Sequence, residues 1–65
     1  MKLKKKLKSM IVKHGKIKTR KILKQEIQEF NVRMRQATNI YIGLEIEHEI
    51  LDREAMLRWL EEDNV

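Results

Sequence analysis

The stretch LKQEIQEFNVRMRQATNIYIGL, residues 23–44 of a 65-residue chain, decides the fold. Its apolar side chains recur at alternating spacings of four and three residues, the heptad pattern of helices packed side by side. We predict that this stripe, called the seam, joins copies of the chain into a homo-oligomer; a plain core face within one chain is the alternative. The seam consists of Leu23, Ile27, Phe30, Met34, Ala37, Tyr41 and Leu44.

The composition excludes several classes of protein. The chain has no cysteine and no proline, so a disulfide scaffold, a thiolate metal site and a cysteine nucleophile are ruled out. No apolar run approaches the roughly 20 residues of a membrane span. A core of this size supplies only about 3–5 kcal/mol, so stabilisation by another chain is expected.

Charge is segregated along the chain. Residues 37–65 carry eight acids against two arginines, whereas residues 1–24 carry eleven cations and no acid. Nucleic acid, DNA rather than RNA, is the partner that we predict for such a basic segment, through contacts with phosphates. The cations are Lys2, Lys4, Lys5, Lys6, Lys8, Lys13, Lys16, Lys18, Arg20, Lys21 and Lys24.

Two other uses of these cations stay open. The basic and acidic segments attract each other, within the fold or across a dimer, and such neutralisation still leaves five positive charges in excess. Binding to a membrane surface is the other rival, although the apolar side of residues 2–14 lacks tryptophan and phenylalanine.

The periodicity predicts an all-α fold, either a helical hairpin or a long-helix, coiled-coil-like dimer. A basic amphipathic helical arm over residues 1–15 ends at Gly15, a natural residue for the position after a helix. An oligomerisation domain over residues 16–65 follows, with helices at about 19–38 and 44–62 and Thr19 as the N-cap of the first. We favour a turn within Asn39–Gly43 over one helix that continues to Glu62, because asparagine, glycine and β-branched residues are poor helix formers together.

The C-terminal helix has two apolar faces, whereas a monomeric surface helix needs one. We therefore predict that one of them contacts another protein. This predicted partner face consists of Ile46, Ile50, Leu57 and Leu60.

A short match resembles the ribbon-helix-helix DNA-binding proteins. Arg53-Glu54-Ala55, followed three residues later by Trp59-Leu60-Glu61-Glu62, is similar to the end of the second helix of that family. The resemblance implies that residues 16–20, Lys-Ile-Lys-Thr-Arg, form a strand that enters the major groove as part of a dimeric ribbon. The sequence departs from the pattern because no serine or threonine follows Gly43 to start that helix.

No pattern predicts catalysis or a cofactor. Ser9 is the only serine and has no acid near it in sequence, and the two glycines form no phosphate-binding loop. Glu45-x-x-His48 has the spacing of a metal-binding pair, but so acidic a segment produces that spacing by chance, and we predict no metal site.

The sequence therefore favours a small cytoplasmic nucleic-acid-binding regulator of phage, plasmid or bacterial type, and not an enzyme. Its basic N-terminal arm would contact phosphates. The candidates for contacts with base edges are Thr19, Arg20, Lys21, Gln25 and Gln28. The alternative is a protein-interaction module, a helical inhibitor or adaptor that binds a host or phage protein through an apolar helix face.

Overall fold

The computed structural model describes residues 2–63, and these form three helices. Helix α1 spans Lys2–His14, α2 spans Lys16–Gln36 and α3 spans Ile40–Glu61. No strand occurs within residues 2–63, so the all-α prediction is confirmed for them. Met1, Asn64 and Val65, at the ends of the two predicted segments, lie outside the described residues.

Gly15 is the single residue that joins α1 to α2. Its φ of 83° and ψ of 162° lie in a region that is essentially restricted to glycine. Its N–H donates to the carbonyl of Ile11, closing α1, and its carbonyl accepts from the N–H of Thr19, opening α2. The prediction that Gly15 ends the first helix is confirmed.

Helix α2 therefore begins three residues before Thr19, and the prediction of Thr19 as an N-cap is wrong. Thr19 is fully buried within the first turns of α2, and its Oγ1 has no hydrogen-bond partner among the described residues. The same helix contains residues 16–20, so the strand implied by the ribbon-helix-helix resemblance is wrong as well.

The second turn lies at residues 37–39, earlier in the chain than the centre of the turn predicted for residues 39–43. The side chain of Asn39 accepts a hydrogen bond from the N–H of Tyr41 at 2.8 Å, which caps α3. This cap, typically worth about 1 kcal/mol, offsets part of the cost of placing the weak helix formers Ile40, Ile42 and Gly43 in the first turn of α3. Gly43 is an ordinary helical residue in α3 and does not have a positive φ.

Helices α2 and α3 form an antiparallel hairpin, so the alternative of one continuous helix is excluded. Ion pairs join residue 16 to residue 63, residue 20 to residue 61 and residue 26 to residue 53, in the order that antiparallel helices require. Helix α1 contacts both of the others. All three helices contribute to a core centred on Leu7, Leu23 and Met56.

The turn divides the predicted seam between two helices. Leu23 is fully buried in the chain's own core, and Phe30 lies against Arg53 of α3. Tyr41 and Leu44 belong to α3 and are 75% and 55% exposed. The single continuous stripe is therefore wrong, and a role of its residues in oligomerisation stays a prediction.

The four residues of the predicted partner face are also placed inside the chain. Ile50 and Leu60 are each only 7% exposed, and Ile46 and Leu57 are half-buried. They lie on the side of α3 that covers the core, because their spacing continues through the buried Arg53. The apolar residues that α3 leaves exposed are different ones: Ile40, Tyr41, Ile42, Leu44 and Leu51.

None of the three helices in residues 2–63 combines the length and apolar character that a membrane crossing requires.

The two glycines make a matched pair of substitutions. A Cβ added at either position meets nothing within 4 Å, so only the local backbone conformation differs. We expect Gly15→Ala to destabilise the protein by about 1–3 kcal/mol, because alanine rarely adopts the conformation of Gly15. We expect Gly43→Ala to stabilise it by up to about 1 kcal/mol, because alanine favours a helix. Thermal unfolding followed by circular dichroism measures both shifts, and shifts of equal sign would contradict this placement of the turns.

Candidate nucleic-acid interface

The eleven cations of residues 1–24 all lie on α1 and the first half of α2. Leu3, Leu7 and Met10 of α1 turn towards the core, which leaves the lysines on the remaining sides of that helix. The predicted arm is thus a helix, but one that packs on the hairpin through the fully buried Leu7. The basic residues are consequently held on a folded surface.

Three of the cations have partners near the end of α3. Lys16 forms an ion pair with Asp63, and the hydrogen bond from Lys16 lowers the pKa of this carboxyl below its ordinary value. Arg20 lies 3.6 Å from a carboxylate oxygen of Glu61. The ammonium of Lys4 lies 5.2 Å from the centre of the Trp59 ring. Ion pairs within the described residues therefore neutralise only Lys16 and Arg20 among these cations.

The other eight cations are exposed, and none forms an ion pair within residues 2–63. We call this set the basic surface. It consists of Lys2, Lys5, Lys6, Lys8, Lys13, Lys18, Lys21 and Lys24.

A shallow hollow beside Gly15 lies next to the basic surface. It is lined by His14, Lys16, Ile17, Lys18 and Lys21, and no side chain caps the first N–H groups of α2 there. The partial positive charge of a helix N-terminus adds to the field of the neighbouring lysines. The geometry at this joint therefore favours negatively charged groups.

The geometry of the hairpin depends on Arg53, which is 7% exposed. Its Nε donates to Oε1 of Glu26 at 3.1 Å, and its Nη1 donates to Oε2 of Glu49 at 2.6 Å and to the carbonyl of Glu49 at 3.1 Å. The guanidinium also lies 4.6 Å from the centre of the Phe30 ring. One side chain thus ties α3 to two residues of α2.

Arg53 also changes the ionisation of its neighbourhood. Burial alone lowers the pKa of Arg53, but the hydrogen bond to Glu49 and the charge of Glu26 outweigh it and the pKa is raised. The same hydrogen bond lowers the pKa of Glu49 below its ordinary value of 4.5. The contacts that cause both shifts favour the charged forms of Arg53 and Glu49 in the folded state.

Sequence reasoning missed Arg53 because it treated the residue as one charge among many. The signal was present, since Ile46, Ile50, Arg53, Leu57 and Leu60 follow one another at heptad spacing. An arginine at such a position faces the core and requires carboxylate partners, which Glu26 and Glu49 supply.

The residues considered for other chemistry are not brought together. Within residues 2–63, no three histidine, cysteine, aspartate or glutamate side chains are grouped as a metal would require. His48 lies 3.5 Å from Asp52, one turn along α3. Gln25 and Gln28 are exposed, as a contact with bases requires, whereas the buried Thr19 is not available.

No protein-family model, curated protein or solved structure matches the chain.

We expect Arg53→Met to destabilise the protein by about 1–2 kcal/mol at neutral pH, because two carboxylates lose their hydrogen bonds but stay partly solvated. Arg58→Met, at an exposed position of the same helix, is the control and should change the melting temperature little. Chemical denaturation measures both changes.

The pH dependence provides a second measurement on the same variants. Because the pKa of Glu49 is lowered by folding, its contribution to stability is complete well above pH 4.5 and is lost as the pH falls below that value. We expect the wild type and Arg58→Met to lose stability in this acid range more steeply than Arg53→Met. Identical pH profiles for all three would contradict the assigned contact.

Proposed function

We propose that the protein is a small nucleic-acid-binding regulator of phage, plasmid or bacterial type that acts in the cytoplasm and binds duplex DNA. The observation that carries this proposal is the basic surface, eight exposed lysines that the described part of the chain leaves without ion-pair partners. Each such lysine can neutralise a phosphate and release a condensed counterion, which is the main source of non-specific affinity for DNA.

The acids of the chain support a defined orientation of binding. They lie mainly on α3 and at its C-terminal end, where Lys16 and Arg20 are already paired with Asp63 and Glu61. Repulsion between phosphates and these carboxylates disfavours contact through α3. DNA would therefore approach α1 and the N-terminal half of α2.

The distribution of aromatic residues supports a duplex as the ligand. Binding of single strands generally uses aromatic rings on which bases stack. The basic surface has none, since Phe30 packs against Arg53 and the ring of Trp59 is covered by Lys4. Contacts with the evenly spaced phosphates of a duplex require only positive charge of suitable density.

The proposal does not require a second copy of the chain. Leu23 and Phe30, which were expected to hold an oligomer together, make their contacts within one chain. If every one of the eight lysines of a single chain contacts a phosphate, a plot of log K against log salt concentration has a slope of about −7.

The salt dependence of binding to random duplex DNA tests the proposal. We expect a slope of about −5 to −7, and we expect the double substitution Lys13→Gln with Lys21→Gln to make it less steep by about 2. All duplex sequences should weaken alike, because phosphate contacts do not specify sequence. Fluorescence anisotropy of a labelled duplex measures these slopes.

The control removes the same charge elsewhere. Arg35 and Arg58 are exposed arginines outside the basic surface, and converting both to glutamine changes the net charge equally. This variant should keep the wild-type slope. Equal effects of the two double variants, or no binding of the wild type at roughly 50 mM salt, would contradict the proposal.

A further inference from the structure

Helix α3 presents to solvent, on the side that faces away from the core, a stripe that is apolar except for His48. Tyr41, Leu44, His48, Leu51 and Ala55 follow one another at alternating spacings of three and four residues, and we call them the outer stripe. Tyr41 is 75% exposed, Leu44 55% and Leu51 56%. Such spacing places the five side chains along one line of the helix.

The outer stripe is separate from the face of α3 that stabilises the fold. Ile50, Met56 and Leu60 point towards α1 and α2 and are buried. On a helix, the outer stripe is displaced from these residues by a large part of a turn. Helix α3 therefore has a second apolar face, which the chain leaves exposed at Tyr41, Leu44 and Leu51 and covers in part from Ala55 to Trp59.

Acids border the outer stripe on both sides. At about 100° per residue, Glu45 and Asp52 fall along one edge, and Glu47 and Glu54 fall along the other. The three glutamates are exposed and Asp52 is partly so. Of the two arginines of α3, Arg53 is buried on the other face and Arg58 lies beyond Ala55 at the end of the stripe. A groove or helix that lies on the stripe thus meets four carboxylates.

We propose that the outer stripe is a docking surface for a basic amphipathic helix of another protein. The partner's apolar residues would pack against Tyr41, Leu44 and Leu51, in the helix-on-helix mode that uses apolar anchors three and four residues apart. Lysine or arginine at the positions that flank those anchors would pair with the acids along the two edges, as flanking charges do in helical pairs.

The same acids argue against a second copy as the occupant. Two outer stripes facing each other would bring the four carboxylates of one α3 against the four of its partner, which disfavours association. Helix α1 of another copy is basic and amphipathic, but its apolar residues Leu7, Met10 and Ile11 are already engaged in the core. A cationic helix from a different protein is the occupant that satisfies both the apolar stripe and its charged borders.

Synthetic helical peptides test this proposal in buffer free of nucleic acid. One peptide of about three heptads carries leucine at the core positions and lysine at the flanking positions. A second replaces the lysines by glutamate, and a third keeps the lysines but replaces the leucines by serine. We expect the first to bind the full chain about tenfold or more tightly than either of the others, in isothermal titration calorimetry.

Substitutions in the chain locate the binding surface. We expect Leu44→Ser and Leu51→Ser each to weaken the lysine–leucine peptide about tenfold, while circular dichroism stays that of the wild type because both side chains are more than half exposed. Val12→Ser is the matched control, since Val12 is an exposed apolar residue on α1. It should leave the affinity unchanged within about twofold.

Three results would overturn the proposal. They are equal binding of the lysine and glutamate peptides, equal binding by Leu51→Ser and wild type, and a dimer in light scattering that Leu51→Ser dissociates. The peptide comparison uses only the wild-type protein, so it decides the matter even if a variant unfolds. Because these measurements involve neither DNA nor the lysines of the basic surface, their outcome is distinct from that of the DNA-binding proposal.

Discussion

The guanidinium of Arg53 sets how α2 and α3 are aligned, and the remaining contacts of the hairpin follow from that alignment. It donates to Glu26 on the facing helix and to Glu49 on its own, while the Phe30 ring lies against its plane. A planar group with several donors satisfies all three partners at once, whereas a lysine ammonium would not. With the two helices aligned in this way, the C-terminal end of α3 lies beside the N-terminal end of α2, where Asp63 forms an ion pair with Lys16.

The position of α1 reflects a balance between apolar contact and repulsion. Leu7 is inserted beside Leu23 and Met56, which favours docking. The lysines of α1 repel one another and those of α2, which opposes docking. A polyanion would relieve that repulsion, so ligand binding and the docking of α1 would reinforce each other.

The periodicity of the apolar residues predicts that the chain is helical, and the conformational freedom of glycine predicts the break at Gly15. Neither feature predicts where the other helix boundaries lie. Gly43 suggested a turn by its identity, yet the cap supplied by Asn39 moved the turn upstream. The continuity of the seam was misleading because heptad spacing persists across a turn, so Tyr41 and Leu44 match the pattern of α2 while belonging to α3. Which of the two apolar faces of α3 is covered depends on how α2 and α1 pack against that helix, on which local patterns carry no information.

The contact between Lys4 and Trp59 has an optical consequence. Trp59 is the only tryptophan of the chain, and its half-buried ring lies where α1 crosses the C-terminal part of α3. The nearby ammonium and the apolar surroundings that α1 supplies both influence the emission wavelength and the quantum yield of the Trp59 indole. The fluorescence spectrum of Trp59 therefore reports whether α1 is packed against α3 or has dissociated from it, and no label has to be added.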